Sequence, residues 1–311
     1  MQPLYPSYSY EQYWSDDPSS KDDESARSNC QFSQCMQPLF SDPQQSYSSA
    51  NDLINPYNNF NNNYNYNQAA QFNAYTPQFQ QQRQLLINVL NKYDINPEMA
   101  HNLQALDFFK VVLILDDSGS MNLESDTPGM ITRWHELKYF ADITIEIVSA
   151  INPYYGCDVF FLNSSPIRNI RHASELNNYF TAGPHGVTPL TRALESVLYD
   201  NQLYSMNGKN LLILMITDGE PTDLNGNLDV QRFEQCLLSL PYYAYVELVS
   251  LGNDPRSAAY LEMLKREQPR VNLVGNFRKE SALKIRNSKR NKNSFSFGDY
   301  VANSLVAPFY S

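Results

Sequence analysis

The run Val111-Val112-Leu113-Ile114-Leu115-Asp116-Asp117-Ser118-Gly119-Ser120-Met121 decides how the rest of this 311-residue chain is read. Five consecutive aliphatic residues suit a strand buried on both faces, as in a parallel sheet covered by helices on each side. The strand empties into D-x-S-x-S, a group of hard oxygen ligands of the kind that suits one small divalent cation. Gly119, between the two serines, permits a tight turn that aims both hydroxyls at one centre.

Working outward, the strand itself is expected over 110–116, with further apolar runs over 157–162, 211–217, 243–251 and 271–274. Helical spacing of apolar residues predicts helices over 133–150, 189–204, 229–239 and 255–267. A weaker strand at 167–170 follows 157–162 too closely for a crossover, so it is expected beside it as an antiparallel edge. The sum is an α/β fold, an open, doubly wound, mostly parallel sheet. Residues 297–306 read as one more helix that returns to this domain. Upstream, 83–106 reads as a helical hairpin interrupted by Asp94, Asn96 and Pro97. It is expected to pack on the domain, because two short helices bury little alone.

From Met1 to about Gln82 the chain is dominated by Asn, Gln, Ser, Tyr and Pro, with too few aliphatic residues for a core. A disordered tail is expected over 1–82, and its Asn/Gln-rich, aromatic-dotted composition is prion-like and suited to self-association. The organisation is then tail 1–82, hairpin 83–106, main domain 107–280, and a basic linker with a C-terminal helix over 281–311. The linker carries Lys284, Arg286, Lys289, Arg290 and Lys292 and reads as a solvated stretch.

A net charge of -10 argues against a general nucleic-acid binder, which needs clustered Lys and Arg to displace phosphate counterions. Cys30, Cys35, Cys157 and Cys236 have no metal-ligand spacing and read as free thiols in a reducing compartment. The first residues lack a basic start with an apolar core, and no run of about 18 apolar residues occurs. The expectation is a cytoplasmic or nuclear protein with no membrane span.

In an open α/β sheet, ligands bind outside the carboxyl ends of the strands, where neighbouring connections leave to opposite faces. Asp116 arrives there at the end of the first strand of the domain. Asp218, within Thr217-Asp218-Gly219-Glu220-Pro221, arrives there at the end of a later one. Thr188, within Gly186-Val187-Thr188-Pro189-Leu190, is presented just ahead of a helix, since Pro suits a first helical position. The order D-x-S-x-S, then Thr, then Asp resembles the metal-ion-dependent adhesion site of the von Willebrand factor A family at every position, over roughly residues 107–280. The resemblance implies that Ser118, Ser120 and Thr188 supply hydroxyl ligands to Mg²⁺ or Mn²⁺, while Asp116 and Asp218 act largely through bound waters and hydrogen bonds. Neutral first ligands leave such a cation under-neutralised, so an Asp or Glu of a partner protein becomes a favourable last ligand. The polar loop 122–129 departs from many relatives, which start their helix almost at once. Glu124 or Asp126 on that loop are candidates to fill the open position, and Asp117 and His185 are candidates to modulate it.

Rival chemistries fare worse. A receiver domain needs a phosphoacceptor Asp at the end of the following strand, whereas Asp158 stands at its beginning. A haloacid-dehalogenase-type phosphatase needs a second carboxylate where Ser118 stands. No G-x-x-x-x-G-K-[ST] loop, G-x-G-x-x-G after a strand or G-x-S-x-G elbow is present. Asn152-Pro153-Tyr154-Tyr155 reads as a helix stop, and Tyr242, Tyr243 and Tyr245 as sheet or interface residues. The expected function is a non-enzymatic intracellular interaction module that grips a partner's acidic residue through a divalent cation. The alternatives are an assembly or condensate scaffold driven by the tail, with the cation structural only, and a metal-assisted hydrolase.

Overall fold

A computed structural model describes residues 77–202, 208–252, 268–287 and 295–309. Most of the expected tail, Cys30 and Cys35, the expected helix 255–267, and Lys289, Arg290 and Lys292 lie outside the described residues. In chain order the elements are α1 (Pro77–Lys92), α2 (Met99–Leu103), β1 (Phe109–Leu115), α3 (Arg133–Ile151), β2 (Cys157–Phe161), β3 (Ile167–Ile170) and α4 (Asn177–Ala182). There follow α5 (Leu190–Asp200), β4 (Asn210–Thr217), α6 (Val230–Leu238), β5 (Ala244–Ser250), β6 (Val271–Val274), α7 (Phe277–Asn287) and α8 (Phe297–Val306).

The six strands form one sheet in the order β3-β2-β1-β4-β5-β6. All neighbours are parallel except β3, which runs antiparallel to β2 as the sequence predicts. Alternation of side chains along each strand divides the core in two. Val111, Leu113 and Leu115 of β1 and Leu212, Leu214 and Ile216 of β4 join residues of α1, α2, α3 and α8 on one face. Val112 and Ile114, with Leu211, Ile213 and Met215, join α5 and α6 on the other through Leu190, Leu194, Val197, Phe233 and Leu237. Helices on both faces explain why β1 is an unbroken apolar run rather than an alternating one.

The helices before and after the sheet share its first face. Leu86, Leu90, Tyr93, Ile95 and Leu103 are buried in the same core as Phe140 of α3 and Tyr300 of α8. α8 begins with a capping box in which Ser296 and Asp299 satisfy each other's backbone N–H groups. The other oxygen of the Asp299 carboxylate accepts from Asn96 N at 2.7 Å. A Cβ at Gly298 would lie 2.2 Å from the carbonyl oxygen of Tyr93, so only glycine permits this close approach. Tyr300 is buried and donates to Gly275 O at 2.9 Å, joining α8 to the end of β6.

Three features differ from the sequence reading. α1 starts at Pro77, inside the expected tail, because a Pro-initiated turn of glutamines needs no apolar residue to extend a helix whose later turns are anchored. α4 and the 3-10 turn before it at Ala173–Leu176 were not foreseen, since Leu176 and Phe180 are their only buried apolar residues. α7 runs through 281, where a basic linker is expected, and Lys284 and Arg286 stand in its last turn, where cations favour the helix dipole.

Candidate functional site

β1 and β4 are neighbours at the centre of the sheet, with Leu115 paired to Ile216, so the residues that follow them emerge side by side. The strand order reverses here, β1 having β2 on one side and β4 on the other. Asp116 extends the ladder by donating its N–H to Ile216 O at 3.1 Å. Its carboxylate is fully buried and accepts from Ser118 N at 2.9 Å and from Thr217 Oγ1 at 2.6 Å. Burial, and then the negative charge of Asp218, push its pKa up to about 6.

A relay of hydroxyls runs from Ser118 to Asp218, and the backbone N–H of Ser118 ties it to Asp116. Ser118 Oγ lies 3.0 Å from Ser120 Oγ, and Ser120 Oγ donates to Asp218 Oδ1 at 2.7 Å. The other oxygen of Asp218 accepts from Arg133 Nη1 at 2.6 Å, and the Asp218 side chain is fully buried while that of Arg133 is 19% exposed. Asp116, Ser118, Ser120 and Asp218 are thus brought together at one end of two adjacent strands.

The Thr188 loop is fastened to this group through the backbone. Gly119 N donates to Gly186 O at 3.1 Å and His185 N donates to Asp117 O at 2.6 Å. Gly186 has φ +86, and a Cβ there would fall 2.6 Å from Asn163 Oδ1. Thr188, two residues on, is buried; its N–H donates to Thr222 Oγ1 at 2.9 Å and its carbonyl accepts from Thr222 N at 2.9 Å.

The four residues considered as modulators take other positions. Asp117 spends its carboxylate on the loop after β2, accepting from Asn163 N at 2.7 Å, Asn163 Nδ2 at 3.1 Å and Ser164 Oγ at 2.7 Å. His185 is exposed, its Nδ1 3.3 Å from Gly183 O. Glu124 and Asp126 are exposed on a small hairpin closed by a bridge between Glu124 and Thr132. That hairpin is pinned from below by Glu136, whose carboxylate accepts from Ser125 Oγ and, at 2.7 Å, from Thr127 Oγ1. Burial raises the pKa of Glu136, while the two hydroxyls oppose the shift.

Sequence reasoning misses Arg133, Asn163, Ser164 and Glu136 as parts of this region, and the bond of Thr217 to Asp116. A signal existed for Arg133. It is the first residue of a helix, where the dipole disfavours a cation, so some acid must hold it there.

Among the described residues no cluster of three or more His, Cys, Asp or Glu side chains forms. The donors at this site are two carboxylates and several hydroxyls, which suit a hard cation such as Mg²⁺ or Mn²⁺ better than a softer metal such as Zn²⁺. In an octahedron with metal–oxygen distances of about 2.1 Å, adjacent ligands lie about 3.0 Å apart. The two serine oxygens have that spacing, 3.0 Å, before any cation is added. The residues therefore fit the ion that their pattern implies. No protein-family model matches the chain, and no curated protein matches it.

Proposed function

We propose that the sheet domain is a von Willebrand factor A-like module of Rossmann-like topology, whose metal-ion-dependent adhesion site binds Mg²⁺ or Mn²⁺ and through it an Asp or Glu of a partner protein. The observation that carries this reading is the relay Ser118–Ser120–Asp218, with Asp116 behind it, at the carboxyl ends of the two central strands. Ser118, Ser120 and Thr188 would hold the cation directly. Asp116 and Asp218 would orient the hydroxyls and the bound waters. The cation supplies an electrophilic seat for one more oxygen. The chain's own residues keep Ser118 and Ser120 at the required spacing and keep Asp117 occupied elsewhere, so the seat is not filled by an internal carboxylate from that position.

Hydroxyl ligands rather than a third carboxylate favour binding over hydrolysis, since among the described residues no group is positioned as a second acid or base beside a nucleophile. A pulldown in Mg²⁺ or in EDTA, comparing wild type with Ser118→Ala/Ser120→Ala, tests the reading. Partner capture is expected in Mg²⁺ with wild type alone. Capture that survives both EDTA and the double substitution would transfer the function to the Asn/Gln-rich tail and make the protein a self-associating scaffold.

A further inference from the structure

Resting on the reading of this site as a cation seat, we infer that Arg133 is a tethered counter-cation that loosens the site's grip on the divalent ion and strengthens its grip on the partner's carboxylate. The two oxygens of Asp218 are divided between two tasks. Oδ1 meets Ser120, on the side of the hydroxyl relay, and Oδ2 meets Arg133 Nη1 at 2.6 Å. Arg133 therefore need not leave when a cation arrives beside Ser118 and Ser120. Its backbone is held as well: as the first residue of α3 it donates its N–H to Leu123 O at 2.9 Å, and the preceding Thr132 caps the helix by accepting from His135 N.

The charge count then sets the sign of both effects. With Arg133 present, Asp116 and Asp218 leave one net negative charge, and a divalent cation converts this to one net positive charge. Without Arg133 the seat starts with two negative charges and is neutral once loaded. A guanidinium paired with the same carboxylate that faces the seat, and largely withdrawn from solvent, would repel a bound cation and attract an incoming carboxylate. The N-terminus of α3 adds a partial positive charge of the same sign. The pair Arg133–Asp218 thus trades cation affinity for anion affinity. It also explains why a cation stands at the helix end where it is least favourable.

The test uses Mn²⁺ as the metal and acetate as the carboxylate, with the full chain. Electron paramagnetic resonance measures Mn²⁺ binding, and water-proton relaxation of the Mn²⁺-loaded protein measures displacement of bound water by acetate. Arg133→Met is expected to bind Mn²⁺ about tenfold more tightly than wild type and to need about tenfold more acetate for the same displacement. Arg133→Lys, which keeps the charge, is expected to stay within about twofold of wild type in both measurements. Arg133→Gln serves as the neutral variant if Arg133→Met does not fold by circular dichroism. Mn²⁺ affinity unchanged or weakened in the neutral variants, while wild type binds and Ser118→Ala/Ser120→Ala does not, overturns this inference and leaves the cation seat standing. Mn²⁺ binding absent from wild type, or equal in wild type and the double serine variant, overturns both.

Discussion

The two ends of the central strands solve the same problem in opposite ways. At the amino ends, Lys110 of β1 meets Asp158 of β2 at 2.7 Å, and Arg168 of β3 meets Asp158 at 3.2 Å while also pairing with Asp200. Arg168 in addition lies over the Phe160 ring, 4.2 Å from its centroid. Two cations there face two acids, and Asp158 further accepts from Asn169 N at 2.8 Å. At the carboxyl ends Arg133 pairs with Asp218, and Asp116 and Asp218 are otherwise held by hydroxyls and a backbone N–H. The first end is charge-balanced and serves stability. The second is left short of positive charge, which suits the cation seat proposed above.

Four measurements break or sharpen this contrast. The largest effect is expected from Lys110→Ala, which strips a buried partner from Asp158 and should cost about 3 kcal/mol in urea unfolding. Asp116→Asn, measured in EDTA, should cost less than about 1 kcal/mol, because it removes a buried charge that has no full counter-ion. Equal losses from the two substitutions would abolish the distinction between the ends. Next, Mg²⁺ at about a hundred times its dissociation constant should stabilise wild type by about 2.7 kcal/mol. The same addition should leave the melting temperature of Ser118→Ala/Ser120→Ala unmoved.

A smaller effect comes from Glu136, another carboxylate of the site end that is held by hydroxyls. Burial raises its pKa in the folded state, so the folded protein binds more protons than the unfolded chain between the ordinary value near 4.5 and the raised one. Its contribution is present below the ordinary value and is lost as pH rises through the raised one. Glu136→Gln should lack that decline, which would be read as the difference between variant and wild-type stability curves over the acid range. The smallest effect is one of rate. Burial first, and then neighbouring Asp158 for Cys157 and Glu195 for Cys236, push both thiols up, Cys236 to about 12. Neither should react appreciably with iodoacetamide at neutral pH until the protein is unfolded in urea.

What could be read from the sequence was what repeats or what is contiguous. β1 was legible because burial on both faces leaves an unbroken apolar run, and β3 because the short link from β2 forbids a crossover. That Asp116 and Asp218 stand at the carboxyl ends of strands follows from the apolar runs before them, and the grouping of Ser118 and Ser120 from their spacing around Gly119, but only the structure makes the two strands neighbours. α4 was not legible, since a short helix that buries two apolar side chains makes no periodic pattern. Nor were the partners of Asp117. Asn163 and Ser164 lie 46 and 47 residues away, and only the side-by-side placement of β1 and β2 brings them to it. The loop 122–129 was recognised as unusual, but its fastening to Glu136 depends on where α3 lies and leaves no mark in the loop's own composition.

The contact of Asp299 with Asn96 N spans 203 residues, and Gly298 meets Tyr93 at the same place. On a ribosome this delays the moment at which the protein can become native. The face carrying Leu90, Leu103 and Phe140 stays incompletely covered until Tyr300 has been made and α8 has docked. Folding of this face therefore waits for α8, and a ribosome stalled before α8 would present that apolar face to chaperones.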